Sequence, residues 1–166
     1  METVTINKSI RLSEHFSLGE VTKSSHTEIN NIPSHVAIEN LKRVCVWLED
    51  LRFTYNSLYC LKPGEDYETS KNVEPIIINS GYRSPELNKK VGGAPTSNHL
   101  TGCAVDIHVA GIEQALRYAV ILMDYADETK QDYDELLIER NSKGHYWVHF
   151  AVRPKDNRRK TMMIQT

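Results

Sequence analysis

The sequence is short of cysteine, of long apolar runs and of surplus charge, and each shortage excludes a class of protein. Its three cysteines, Cys45, Cys60 and Cys103, are odd in number and form no Cys-x-x-Cys pair. That argues against a disulfide framework and fits a reducing compartment. Cys45 and Cys103 stand among apolar residues and read as small core residues. No run approaches the length of a membrane span. The start, Met1 to Lys8, has no apolar core of signal-peptide length, so synthesis in the cytoplasm without a leader is expected. The 20 Lys and Arg against 22 Asp and Glu give a net charge of -2 and leave no basic footprint for nucleic acid. Internal repeats, low-complexity tracts and domain linkers are also missing. At 166 residues one domain is expected, long enough to bury a core without staples, and a monomer.

Residues 1–33 read as an irregular arm, with room for a helical turn over Ser17–Val21. Ser34 is a suitable N-cap, and Ala37, Leu41, Val44, Cys45, Leu48, Leu51 and Tyr55 recur at helical spacing. A helix is therefore predicted from Ser34 to about Tyr59, its apolar face extended by Leu58. Residues 62–73 make a polar loop longer than most connections, either simply solvated or lining a substrate groove. Ile76–Asn79 reads as a central strand, apolar on both faces. Ser84 and Pro85 start a short helix over Pro85–Val91, and Gly92-Gly93 stops it. Cys103–Val109 reads as a second strand, with Cys103, Val105 and Ile107 on one face and Ala104, Asp106 and His108 on the other. A second amphipathic helix is predicted over Ile112–Asp127, with Ile112, Ala115, Leu116, Ala119, Val120 and Met123 as its face. Asp134–Glu139 and Tyr146–Val152 pair as a hairpin around residues 141–144. The basic tail, 154–166, reads as solvated and frayed. Helices interleaved with a mostly hairpin-built sheet give an α+β domain.

An acid in a strand that reads as buried needs a strong partner, because an unpaired buried carboxylate is very costly. Asp106 is such a residue, and His99 just upstream can share a metal ion with it. His149, in another strand-like run, offers a third ligand. This N/N/O set suits zinc with a fourth position left for water. His108 shares the side of Asp106 and is a rival, displaced by roughly 7 Å along the strand. The scattered His15, His26 and His35 read as exposed. Arg83 follows a strand that ends near this set. Its guanidinium can hold a substrate carboxylate or a developing oxyanion, or can pin its own loop to backbone carbonyls. Ser97 either binds substrate or caps the loop, and Tyr82 packs rather than reacts.

The runs Ser-Gly-Tyr-Arg-Ser-Pro-Glu-Leu-Asn, Val-Gly-Gly-Ala, Ser-Asn-His-Leu-Thr-Gly-Cys-Ala-Val-Asp-Ile and Trp-Val-His-Phe together resemble the M15 zinc metallopeptidases. These are D-Ala-D-Ala carboxypeptidases, dipeptidases and L-Ala-D-Glu endolysins. The stretch from Leu12 to Thr22 resembles their compact bacterial and phage branch. The resemblance implies a small antiparallel sheet that carries the zinc site, with helices packed on its other face. It implies His99, Asp106 and His149 as ligands of Zn2+ and a peptidoglycan stem peptide as substrate. It also implies Arg83 in the carboxylate or oxyanion role.

The family's general base is an acid close before the last histidine, often three residues before it, where this chain has Tyr146. The nearest upstream acid is Glu139, and the compact branch leads one to expect a glutamate at the end of that strand. A two-residue turn at Ser142-Lys143 would set Glu139 opposite Tyr146 and away from His149. A loop of Ser142-Lys143-Gly144, with Gly144 left-handed, would set it opposite Trp147 and on the face of His149. The glycine favours the second arrangement. His145 is the reserve for base or transition-state donor. The substrate lies outside the membrane, so the resemblance calls for phage-type release to the wall or for cytoplasmic muropeptide recycling. A non-catalytic zinc-stabilised binding module, as in Hedgehog-type domains with the same metal frame, and a phage structural component are the alternatives.

Overall fold

Two serine caps set the first helices in the computed structural model, which describes residues 7–166. Ser17 and Glu20 form a reciprocal capping box at the start of α1, Leu18–Thr22. The Ser34 hydroxyl accepts from the Ala37 N–H and opens α2, His35–Tyr59, as the apolar spacing predicts. Ser84 caps α3, Pro85–Lys90, in the same way. A 3-10 turn over Asn98–Thr101 and helix α4, Ile112–Thr129, complete the helical part. No helix among the described residues is long and apolar enough to cross a membrane.

The strands are β1 (Ile78–Ser80), β2 (Ala104–His108), β3 (Glu135–Arg140), β4 (Tyr146–Ala151) and β5 (Lys160–Gln165). They form one sheet in the order β1-β2-β4-β3-β5, so the architecture is α+β. Strict alternation gives the sheet two unlike faces. Val105, Ile107, Leu136, Ile138, Val148 and Phe150 belong to the core shared with Val44, Trp47, Leu48 and Leu51 of α2 and Tyr118, Ala119 and Leu122 of α4. Asp106, Glu135, Leu137, Glu139, Trp147 and His149 stand on the opposite face by register. Helices on one side and chemistry on the other is the arrangement the resemblance implied.

The structure departs from the sequence reading in four places. The tail does not fray: residues 160–165 form β5, which pairs with β3 in parallel and makes the sheet mixed rather than antiparallel. Ile77 is exposed, because β1 is an edge strand with an irregular register and only Ile76 and Ile78 face the core. Leu58 is exposed at the end of α2. Helix α4 is rolled so that Tyr118, Ile121, Leu122 and Ala126 are buried while Leu116 and Val120 are exposed. Its aromatic anchors decide that roll: Tyr118 packs edge-on to Tyr55 with ring centroids 4.9 Å apart, and Tyr125 to Trp47 at 4.7 Å. The loop at 62–73 is solvated, one of its two readings: none of its residues is buried, and it packs through Tyr67 against Arg52 and Phe53 of α2 rather than along the cleft beside His149.

Candidate metal centre

The hairpin fixes which side chains share the face of His149. Gly144 has φ +84, and its N–H donates to Asn141 O at 2.9 Å, while Asn141 Oδ1 accepts from the Lys143 and His145 amides. The loop is therefore the longer one, and Glu139 pairs with Trp147 and Leu137 with His149. On the other side of β4, Asp106 pairs with His149.

His99 reaches the same point from the 3-10 turn. Its Nδ1 lies 2.6 Å from Gly81 O, and a carbonyl can only accept, so Nδ1 carries the proton and Nε2 faces the sheet. Gly81 is required here: a Cβ would meet Val21 O at 2.2 Å. His99 Nε2 and His149 Nδ1 approach Asp106 Oδ1 at 3.3 and 2.9 Å. His99, Asp106 and His149 offer ligand atoms that all lie within 4.8 Å of one another, and His108 is outside the group. Bonds of 2.0–2.2 Å to a tetrahedral zinc would set such atoms about 3.4 Å apart, so the residues fit the ion.

Arg83 does not pin its loop to carbonyls. Its Nη2 donates to Asp106 Oδ2 at 2.8 Å and its Nε to Ser80 Oγ at 3.0 Å, which turns the other carboxylate oxygen towards the histidines. Burial opposes the charge of Asp106, but the two histidines outweigh it and hold the carboxyl far below its usual range. Burial likewise opposes a proton on His149, yet hydrogen bonding to Asp106 and Glu135 pushes its pKa up to about 9.

A cleft of about 540 Å³ lies beside His149, and Glu135, Leu137, Glu139, Ser97 and Arg158 are among its walls. Glu139 is half-buried there. Burial raises its pKa, with the charges of Asp106 and Glu135 adding and those of His149 and Arg83 opposing. Ser97 accepts from the His99 amide at 3.3 Å and so caps its turn while also lining the cleft. Tyr82 is buried with Leu18, Val21, Ala37 and Leu41, and packs as expected. His145 is exposed, four residues along from His149, or roughly 13 Å of strand. It lines a separate cleft with His108 and Trp147.

The ligand set, the arginine and the cleft stand together with one finding from comparison: the family model for Peptidase M15 matches residues 65–135, which hold Arg83, Ser97, His99 and Asp106. Over this segment the chain matches the peptidase M15 family. M15 peptidases are metallopeptidases, and His99, Asp106 and His149 form a candidate metal site. No curated protein matches the chain. Glu139 and His149 lie beyond the matched segment, and the β2–β4 and β3–β4 pairings bring them to it.

Sequence reasoning missed a second group, which runs from Asp134 behind the cleft to Asn98, Glu135, Arg153 and Arg158 on its wall. Asp134 is fully buried and accepts from Arg158 Nε and Nη2 at 2.8 and 2.7 Å and from Asn98 Nδ2 at 2.7 Å, with Arg153 Nη2 at 2.9 Å. Glu135 follows it, and its contact with His149 lowers its pKa to about 2 against the opposing effect of burial. The available signal was alternation, since Glu135, Leu137 and Glu139 must share one face.

Proposed function

We propose that this chain is a zinc-dependent peptidase of the compact M15 branch, acting on peptidoglycan stem peptides as a D-Ala-D-Ala carboxypeptidase or an endolysin. Residues 1–166 would form one catalytic domain working as a monomer. The observation that carries the reading is Glu139, a half-buried carboxylate in the same cleft as His149. Zinc held by His99 Nε2, Asp106 Oδ1 and His149 Nδ1 would act as a Lewis acid and bring the pKa of water toward 7. Glu139 takes a proton from the attacking water as its oxygen bonds to the carbonyl carbon, and delivers it to the leaving nitrogen as the C–N bond breaks. Arg83 keeps Asp106 oriented, and its Nη1, which has no hydrogen-bond partner among the described residues, holds the substrate carboxylate or the oxyanion. Ser97 contacts the bound peptide from the cleft wall. His145 is the reserve base or donor. Action at the wall would follow phage-type release through a separately permeabilised membrane.

One observation favours a second reading, a zinc-stabilised binding module or phage structural component: Tyr146 stands three residues before His149, where the family often has its acid. Zinc-loaded protein incubated with cell-wall sacculi separates the two. Mass spectrometry should find released D-Ala or new peptide amino termini. Neither product, with zinc bound, would leave only the binding module.

A further inference from the structure

Glu135 is a charged residue of the cleft for which the proposed reaction has no use. His149 is buried, and its two ring nitrogens face different carboxylates. Nδ1 lies 2.9 Å from Asp106 Oδ1, inside the ligand group. Nε2, on the far side of the ring, lies 3.4 Å from Glu135 Oε2, about half an ångström beyond a good hydrogen bond. A carboxylate on that side cannot reach an ion bound at Nδ1, so Glu135 is not a fourth ligand. It can instead settle which nitrogen the ligand group receives, because the hydrogen bond made by one imidazole nitrogen determines the state of the other.

Glu135 is itself held in place. Arg158 Nη2 and Lys160 Nζ lie 3.1 and 3.4 Å from Oε1, and Asn98 Nδ2 donates to Oε2 at 3.2 Å. Lys160 is the register partner of Glu135 in the parallel β3–β5 pair. A continuous set of contacts thus runs from the C-terminal strand through Glu135 to the far nitrogen of His149.

We infer that Glu135 is a positioning residue: it accepts the Nε2–H of His149, so that Nδ1 is presented to the metal, and β5 holds Glu135 for that task. The inference rests on the ligand assignment proposed above. Losing such a partner typically weakens metal affinity 10–100-fold. The competing account is that Glu135 only anchors the tail through Arg158 and Lys160, in which case its loss would affect stability alone.

Zinc affinity measured by competition with a chromophoric chelator distinguishes them. Glu135→Ala should bind zinc 10–100-fold more weakly than wild type, and Glu135→Gln, which keeps an acceptor oxygen, should recover most of the loss. Wild-type affinity in a folded Glu135→Ala protein would overturn the inference. A test that needs no variant uses ¹⁵N-labelled wild type loaded with zinc. Its His149 side chain should show a proton on Nε2, and a proton on Nδ1 instead would refute the proposed role even if Glu135→Ala does not fold. Neither readout requires peptide hydrolysis, so an inactive but zinc-binding protein still tests it. A wild type that binds no zinc would overturn both this role and the proposed function.

Discussion

Gly81 and Glu139 show how much rests on single positions. The missing Cβ of Gly81 lets the loop after β1 press against α1, and that approach aims the carbonyl that fixes the His99 ring. The duty proposed for Glu139 is different and can be separated from metal binding. It is absent from the ligand group, so Glu139→Gln should leave zinc content and melting temperature unchanged. Removing a general base typically costs 10²–10⁴-fold, and the loss should fall on kcat rather than KM. Steady-state kinetics on a released wall peptide, with zinc content measured on the same samples, checks this. Equal hydrolysis by Glu139→Gln would mean that the proton goes elsewhere, with His145 the next candidate. The positions of Asp106, the histidines and Glu139 were legible because each sits in a motif or at a strand end. Glu135 was not, because its meaning depends on the cross-strand partner of Leu137, and that partner is His149.

At the level of elements, β5 is where local reading and tertiary structure part. Read alone, Lys155, Arg158, Arg159 and Lys160 make a solvated basic tail. In the fold, Arg158 stays half exposed yet is a bidentate partner of buried Asp134, and the Lys160 N–H donates to Asp134 O at 3.0 Å. A buried carboxylate needs such partners, and the need arises only once β3 is buried, which no window of tail sequence can reveal. The hairpin differs, since Gly144 with a left-handed φ sets its register locally, and so Glu139 could be placed from sequence. Helix α2 was legible for the same local reason: a cap followed by one apolar face. Asp134→Ala should therefore release β5 selectively. Loss of charged hydrogen bonds should cost roughly 2–4 kcal/mol. Hydrogen exchange at residues 160–165 should accelerate while the amides of α2 keep their protection; unchanged protection in β5 would show that the clamp does not hold the strand. Burial works to raise the Asp134 pKa, and hydrogen bonds from Arg158 and Asn98 with the charge of Arg153 outweigh it, so the folded value is depressed. Its stabilisation is present above the unfolded value, near 3.8, and is lost as pH falls through the folded one. Asp134→Ala should lack that contribution in acid titrations.

Across the whole molecule, the sheet separates what holds the chain folded from what would bind the metal. Core residues of α2, α4 and the inner sheet face include Trp47, Leu48, Leu122, Ile138 and Phe150, none of which belongs to the ligand group. The proposed metal ligands come from three places, the 3-10 turn, β2 and β4, but ordinary strand pairing already brings two of them together. This is unlike a small zinc finger, in which binding free energy supplies the folding free energy. A chain of this size can bury enough apolar surface to fold unaided. Zinc should then act only by mass action on the native state, adding roughly 2.7 kcal/mol at a free concentration a hundredfold above Kd. For a domain of this size that corresponds to a rise in Tm of roughly 5–11 °C. Calorimetry of chelated protein should still show one cooperative transition, and added zinc should move it upward by about that amount. His149→Ala should lose the zinc-dependent shift while keeping a cooperative transition of its own. Should chelation abolish the transition, the two faces of the sheet would not be independent, and metal bonds to His99, Asp106 and His149 would have to count among the contacts that hold the native sheet together.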